Sequence, residues 1–268
     1  MKYLDLLEAV QNAGNKKSDL MFLITEISGL SKSELILNLK ENVPKGILEK
    51  IKLAKKEYLV DNVPVQYIIG YTYFYGLKIH LTKDVLIPRS ETEEVVEKVI
   101  ELSKGFSNVG ILDIGTGSGC IALALKANLA NAHVSAIDIS PKALEVAKRN
   151  ADYHNLDIKL YENDLLENFK GEFDIIVSNP PYINPNEEIM DLVYDNEPHL
   201  ALFSHENGLY HYRRILSKAK NVLSKDGVIV FEIAYNKKAE MISLAKNYFT
   251  KINVLKDIHN NNRIMIIR

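Results

Sequence analysis

The strongest constraint on the fold is the stretch at residues 109–124, Val-Gly-Ile-Leu-Asp-Ile-Gly-Thr-Gly-Ser-Gly-Cys-Ile-Ala-Leu-Ala. Residues 111–114 read as a short buried strand. Gly115, Gly117 and Gly119 make a tight turn with little side-chain cover. From Cys120 the apolar pattern reads as a helix starting under that turn. A strand feeding a helix through alternate glycines is a nucleotide-class site. Glycines admit close backbone approach, and a helix start offers free N–H groups. Asp113, two positions before the first glycine, narrows the ligand: its charge repels a pyrophosphate and suits an amino group or hydroxyls.

The strand–helix alternation continues downstream. Residues 133–137 form a second strand ending at Asp138, and Pro141 begins a helix. Residues 158–160 are a third strand. Residues 173–177 are a fourth, running into Asn179-Pro180-Pro181-Tyr182. A polar, proline-bearing loop follows over 183–198, a length usually tied to function. A helix over 208–223, a strand over 227–233, a helix over 237–248 and strands near 252–255 and 264–267 complete the pattern. Repeated strand–helix units imply an α/β domain with a mostly parallel sheet covered by helices on both faces.

The first 70 residues read differently. Leu4, Leu7, Val10 and Ala13 recur at helical spacing. Ser18-Asp19 can cap a second helix, Ser31 a third, and residues 44–60 carry Ile47, Ile51, Ala54 and Tyr58 on one side. An aromatic hairpin turning at Gly76 follows. Pro88 holds an extended segment, and Ser90 or Thr92 can cap the next helix. The expected division is a helical docking domain at 1–70, a hairpin linker at 71–84 and the α/β domain at 85–268.

Composition removes several classes. A formal charge of -2 gives no support for a broad nucleic-acid footprint, so stable nucleic-acid binding is not expected. The single cysteine rules out an internal disulfide and a cysteine-built zinc site, and no metal is expected. No apolar run is long enough for a membrane span, and Met1-Lys2-Tyr3-Leu4-Asp5 lacks the pattern of a signal peptide. The expected location is the cytoplasm.

Three carboxylates fall at strand ends, where such sheets bind ligands. Asp113 ends the first strand. Asp138 ends the second, where it can accept both hydroxyls of a ribose. Asp164 follows the third and can accept from an exocyclic amine, with Leu165 lining an adenine. The set suggests a nucleoside with an uncharged linkage and a cationic or amino-bearing tail, which S-adenosyl-L-methionine fits well and a dinucleotide fits less well, because Asp113 would lie near phosphate and the glycine run lacks the usual spacing. The candidate cofactor residues are Asp113, Gly115, Thr116, Gly117 and Gly119, joined by Asp138, Ile139, Asp164, Leu165 and Asn179.

Asn179-Pro180-Pro181-Tyr182 is the candidate reacting site. An amide or aromatic amine nitrogen is planar, and its delocalised lone pair makes it a poor nucleophile. Two acceptors aimed at its two hydrogens hold it and draw electron density onto nitrogen. The Asn179 side-chain oxygen supplies one, and the Pro180 carbonyl can supply the other. The prolines fix the turn and remove competing donors, and Tyr182 can stack on the flat group. The rate then comes from orientation and electrostatic alignment.

These motifs together resemble class I S-adenosylmethionine-dependent methyltransferases of planar nitrogen. From about residue 3 to the end, the chain is similar to the HemK/PrmC family of protein-(glutamine-N5) methyltransferases. The marks of that resemblance are residues 64–70, Phe74 with Gly76, residues 86–89 through Thr92-Glu93, residues 113–119, residues 179–182, and Glu197-Pro198. It implies a helical N-terminal domain that helps grip the partner, a hairpin linker and a Rossmann-like domain. The implied substrate is the glutamine of the Gly-Gly-Gln loop of peptide chain release factors, lying against Asn179, Pro180, Pro181 and Tyr182. The implied products are N5-methylglutamine and S-adenosylhomocysteine. Arg89 and Glu197 are candidate substrate-binding or loop-bracing residues. The chain departs from the family pattern at Ala234 and at His259-Asn260-Asn261-Asn262-Arg263, where glycines are common.

Other acceptors share the motifs. Ribosomal protein L3 offers a glutamine amide, and DNA adenine offers an N6 amine. The second acceptor requires base extrusion, and no basic recognition domain is evident. A non-enzymatic helical adaptor with a vestigial cofactor domain conflicts with intact Asp113, Asp138, Asn179 and Tyr182.

Overall fold

The computed structural model describes residues 1–268, apart from the side chain of Asn15. The chain begins with helices α1 (Tyr3–Gln11), α2 (Lys17–Ser28), α3 (Lys32–Leu37), α4 (Lys45–Leu59) and α5 (Val65–Ile69), then a hairpin of β1 (Tyr71–Phe74) and β2 (Leu77–His80). There follow α6 (Glu91–Ser103), β3 (Gly110–Ile114), α7 (Cys120–Asn128), β4 (His133–Asp138), α8 (Pro141–His154), β5 (Lys159–Glu162) and β6 (Phe173–Ser178). Three single turns come next: α9 (Asp191–Tyr194), α10 (His199–Leu202) and α11 (His205–Gly208). The chain closes with α12 (Tyr210–Ala219), β7 (Leu223–Glu232), α13 (Lys238–Ala245), β8 (Ile252–Lys256) and β9 (Asn262–Ile267).

The chain divides into two compact units, one of residues 1–71 with 190–196 and one of residues 72–189 with 197–268. The long polar loop thus gives its segment Met190–Asn196 to the helical unit, where Asn196 Nδ2 donates to the Asn62 carbonyl at 2.7 Å. The core of this unit is built from Tyr3, Leu6 and Val10 of α1, Leu20, Leu23 and Ile24 of α2, Leu35 of α3, and Ile51, Ala54 and Tyr58 of α4. The α1 face is rotated from the one that spacing suggests: Leu4 is exposed and Tyr3 is buried. Both sets satisfy helical periodicity, and the one that buries the aromatic ring removes more apolar area from water. Ser18-Asp19 do not cap α2, which starts earlier. Asp19 instead accepts the Tyr58 hydroxyl at 2.5 Å and ties α2 to α4. Ser31 does cap α3, in a reciprocal box with Glu34.

Among the described residues the second unit carries a seven-stranded sheet in the order β5-β4-β3-β6-β7-β9-β8. The strands β3, β4, β5, β6 and β7 are parallel, and β9 runs antiparallel to β7 and β8. Leu112, Ile114, Ile176, Ile229 and Phe231 alternate onto one face, where Tyr212, Ile215 and Leu216 of α12 and Met241 of α13 cover them. On the other face α6 adjoins α7, β6, β7 and β9 and buries Val95, Val96 and Val99. The expected helix over 208–223 is shorter, because β7 already begins at Leu223, paired with Phe173. Exposed Lys225 and Asp226 hide that first half of the strand from an apolar pattern.

Strand order reverses at β3: the chain moves to β4 on one side and later to β6 on the other. A crevice opens at such a switch point, at the carboxyl ends of the strands. Gly119 sits under it with φ 83°, at the N-cap of α7. A Cβ there would lie 3.1 Å from Ala147 Cβ of α8, so this glycine sets the helix–helix approach as well as the turn. Gly119→Ala is therefore expected to cost about 2 kcal/mol, from the left-handed backbone and the forced separation of α7 and α8. A lowered urea midpoint checks this, and an unchanged midpoint contradicts it.

Candidate functional site

The crevice at the ends of β3, β4 and β6 is a cavity of about 420 Å³, within the range of small-molecule sites. Of the residues singled out from sequence, Gly115, Gly117, Asp138, Ile139, Asp164, Leu165, Asn179 and Pro181 line it. Asp113, Thr116, Gly119, Pro180, Tyr182, Arg89 and Glu197 are not on its wall.

The glycine turn is locked to β4. The Gly115 and Thr116 N–H groups both donate to the Ile137 carbonyl, at 2.9 and 3.0 Å. The Gly117 N–H donates to Asp138 Oδ2 at 2.8 Å, and the Ser140 N–H donates to Asp138 Oδ1 at 2.9 Å. These amides are therefore committed to β4 and the Asp138 carboxylate and are not free to hold a phosphate. Burial pushes the Asp138 carboxyl up from its usual range, and the N–H groups of Ser140, Gly117 and Ile139 pull it back. Each of its oxygens retains a lone pair for a ligand hydroxyl.

Asp113 sits deeper. It is fully buried, and its Oδ2 accepts the Thr116 hydroxyl at 2.6 Å. Burial pushes its carboxyl up to about 7, and the Thr116 hydroxyl and the Ala122 N–H oppose that shift. Its evident role is to hold the turn through Thr116. Asp164 is engaged by the Arg214 guanidinium through two bonds of 2.9 Å each. Arg214, with Tyr210 and His211 beside it on α12, also lines the cavity. Sequence alone did not single out these three, because α12 lies 46 or more positions from Asp164 and carries no motif. Burial lowers the His211 pKa, and its Nδ1 meets Ser204 Oγ at 2.8 Å.

At the other end of the cavity stands Asn179, one residue past β6. Its Nδ2 donates to Thr92 Oγ1 at 3.2 Å, and Thr92 donates to Glu232 Oε2 at 2.6 Å. Ser90 sits at the N-cap of α6 without a side-chain cap bond, and Thr92 lies inside the helix. Glu232 is buried at the end of β7, and burial pushes its carboxyl up to about 7. The Arg263 guanidinium at 3.9 Å and the Thr92 hydroxyl oppose that shift. Pro180 is buried behind Asn179. Burial pushes the Tyr182 hydroxyl up to about 12, so it stays neutral. A Cβ on Gly208 would fall 2.2 Å from the Tyr182 carbonyl, so Gly208 lets α11 approach this turn.

Arg89 and Glu197 pair with each other. Arg89 Nη2 donates to Glu197 Oε1 at 2.6 Å and Nη1 to the Ile87 carbonyl at 3.0 Å, while the Ile87 N–H donates to Glu197 Oε2 at 3.1 Å. The pair clamps two cavity walls, since Leu86 and Pro198 are the neighbours of its anchor points. Among the described residues no helix is long and apolar enough to cross a membrane, and no group of His, Cys, Asp and Glu could hold a metal ion.

Glu197→Ala leaves the Ile87 N–H and the Arg89 guanidinium without their buried acceptor. A loss of about 2 kcal/mol is expected, tempered by the partial exposure of Arg89. An unchanged denaturant midpoint would contradict the clamp. Asp113 holds a proton in the fold that it releases when unfolded, so its stabilising contribution is full at pH below about 3.8 and is lost as pH rises through about 7. Relative to Asp113→Asn, the wild-type melting temperature should therefore fall between pH 5 and pH 8. A difference that stays constant with pH would contradict the buried, protonated carboxyl.

The Methyltransferase small domain family matches residues 98–197. A release factor glutamine methyltransferase from Flavobacterium psychrophilum is 39% identical, with 98% of this chain and 95% of that one covered. Another from Francisella tularensis subsp. tularensis is 41% identical, with 92% and 88% covered. Among solved structures, a 16S rRNA methyltransferase from T. thermophilus in complex with AdoMet and guanosine has a TM-score of 0.56 at 19% identity, with 74% of this chain and 49% of that one covered. That likeness concerns the fold alone and agrees with the sheet order in being a Rossmann-like class I methyltransferase domain. The sequence identity runs through both compact units and nearly the full length of the relatives, and by it this chain belongs to the release factor glutamine methyltransferase family.

Proposed function

We propose that this protein transfers a methyl group from S-adenosyl-L-methionine to the side-chain amide N5 of the glutamine in the Gly-Gly-Gln loop of peptide chain release factors. The products are N5-methylglutamine and S-adenosylhomocysteine. The observation that carries this reading is the Asn179 amide at the end of β6, held by Thr92 at its nitrogen and bordering the cavity. Its oxygen is the acceptor that a planar NH₂ group needs.

The residues present fit the cofactor. The cavity has the right size class, its glycine amides are committed to β4, and Asp138 offers carboxylate lone pairs suited to ribose hydroxyls. Ile139, Ala143 and Leu165 supply an apolar wall for a base, with Asp164 beside them. When bound, the cofactor supplies an electrophilic methyl group on a sulfonium. Asn179 and the Pro180 carbonyl orient the acceptor nitrogen, Pro181 and Tyr182 shape the approach of its flat group, and the apolar wall excludes water. Residues 1–70 are assigned the docking of the release factor, and residues 85–268 the transfer.

The test is mass spectrometry of purified release factors after incubation with the protein and S-adenosylmethionine. A gain of one methyl on the Gly-Gly-Gln glutamine, lost with Asn179→Ala, supports the proposal. Bound cofactor with no gain there contradicts it and directs the assay to ribosomal protein L3 and then DNA.

A further inference from the structure

Thr92 lies in the first turn of α6 and is buried. A threonine hydroxyl carries one proton and can also accept. Here the proton is committed to Glu232 Oε2 at 2.6 Å, so Oγ1 meets Asn179 as an acceptor only. Asn179 must then turn its NH₂ end to Thr92. Its oxygen is left for the cavity side, where Asn179 forms part of the wall.

We propose that Thr92, backed by Glu232, is a positioning residue that fixes which end of the Asn179 amide faces the acceptor. This rests on the glutamine-methylation reading above. The two ends of an asparagine amide have nearly the same shape, so packing alone discriminates poorly between them. The flipped rotamer would aim an NH₂ group at the NH₂ group of the substrate. That arrangement repels, removes one of the two acceptors and leaves the nucleophile misaligned. A hydroxyl with a committed proton breaks the degeneracy, because it accepts from nitrogen and offers nothing to oxygen.

The surroundings of Glu232 explain how that commitment is held. Arg263 of β9 places Nη1 3.9 Å from Oε1 and is itself braced by Asp257 at 3.2 Å. The Tyr212 hydroxyl of α12 donates to the Glu232 main-chain carbonyl at 2.7 Å, which fixes the end of β7. Arg89, just before α6, and Glu91, at its first position, also act on this carboxylate, with opposite signs. Tyr182 and Cys120 face it as neutral groups. The ionised carboxylate accepts the Thr92 proton, and a buried carboxylate with an arginine on its other oxygen has no better use for that lone pair.

Thr92→Val keeps the shape and removes the hydroxyl, and Thr92→Ser restores the hydroxyl without the methyl. The first readout needs no substrate. Nitrogen-15 NMR at pH 8, where Glu232 is ionised, follows the side-chain NH₂ of Asn179, assigned by its loss in Asn179→Asp. The hydrogen-bonded proton should be shifted downfield in the wild type and in Thr92→Ser, and should lose that shift in Thr92→Val. The second readout is steady-state methyl transfer to a release factor. Thr92→Val should lower kcat about 30-fold, the size expected for one lost orienting hydrogen bond, with the KM for S-adenosylmethionine changed less than about twofold. Thr92→Ser should recover most of the rate.

An unchanged Asn179 resonance in Thr92→Val overturns the proposal. So does a folded Thr92→Val enzyme with wild-type kcat, or a loss of rate that Thr92→Ser does not rescue. A wild-type protein that shows the NMR signature but transfers no methyl to release factors refutes the substrate reading and leaves the orientation of Asn179 established.

Discussion

The amide groups of the glycine turn are held by the neighbouring strand, and the geometry of the site depends on that attachment. Gly115 and Thr116 donate to Ile137, and Gly117 donates to Asp138. A turn of three glycines would otherwise be the most mobile part of the crevice. Bound in this way, it places the start of α7, the end of β3 and the carboxylate of Asp138 in one rigid group. The same bonds occupy three amides that could otherwise meet a phosphate.

Two buried carboxyls, Asp113 and Glu232, sit on the face of the sheet covered by α6 and α7. Both are pushed up to about 7 by burial. Each is unfavourable for stability as pH rises, and each is attached to a threonine that orders a piece of the site. Asp113 holds Thr116 of the glycine turn, and Glu232 holds Thr92 at Asn179. The two ends of the candidate site are therefore organised by the same device, a desolvated carboxyl accepting from a hydroxyl. Such pairs specify orientation at a cost in stability, which is a recurrent feature of sites built for function.

Much of this was legible in the sequence. The strand, glycine turn and helix at residues 110–128 follow directly from apolar pattern and glycine spacing, and so does the placement of Asn179 at the end of a parallel strand. These features are local, and local periodicity carries them. Thr92 was not legible. A threonine after Pro-Arg-Ser-Glu has the signature of a helix cap, and its true partner Glu232 lies 140 positions away. The Arg214 partner of Asp164 was hidden for the same reason, since an ion pair between distant elements leaves no spacing to read. Asp113 reads as a ligand contact from its place at the end of the first strand, whereas its complete burial follows from tertiary packing that no local pattern carries. In α1, two stripes had equal periodicity, and only the tertiary core selected Tyr3 and Leu6 over Leu4.

The proposed function requires the cavity to bind a nucleoside at Asp138 and an amide at Asn179, and a crystal structure of the protein with S-adenosylhomocysteine tests this. Ligand density is expected within the cavity lined by Gly115, Asp138, Leu165 and Asn179, with ribose oxygens in hydrogen-bond distance of the Asp138 carboxylate. Ligand bound elsewhere, or lying in this cavity with Asp138 unengaged, would contradict it.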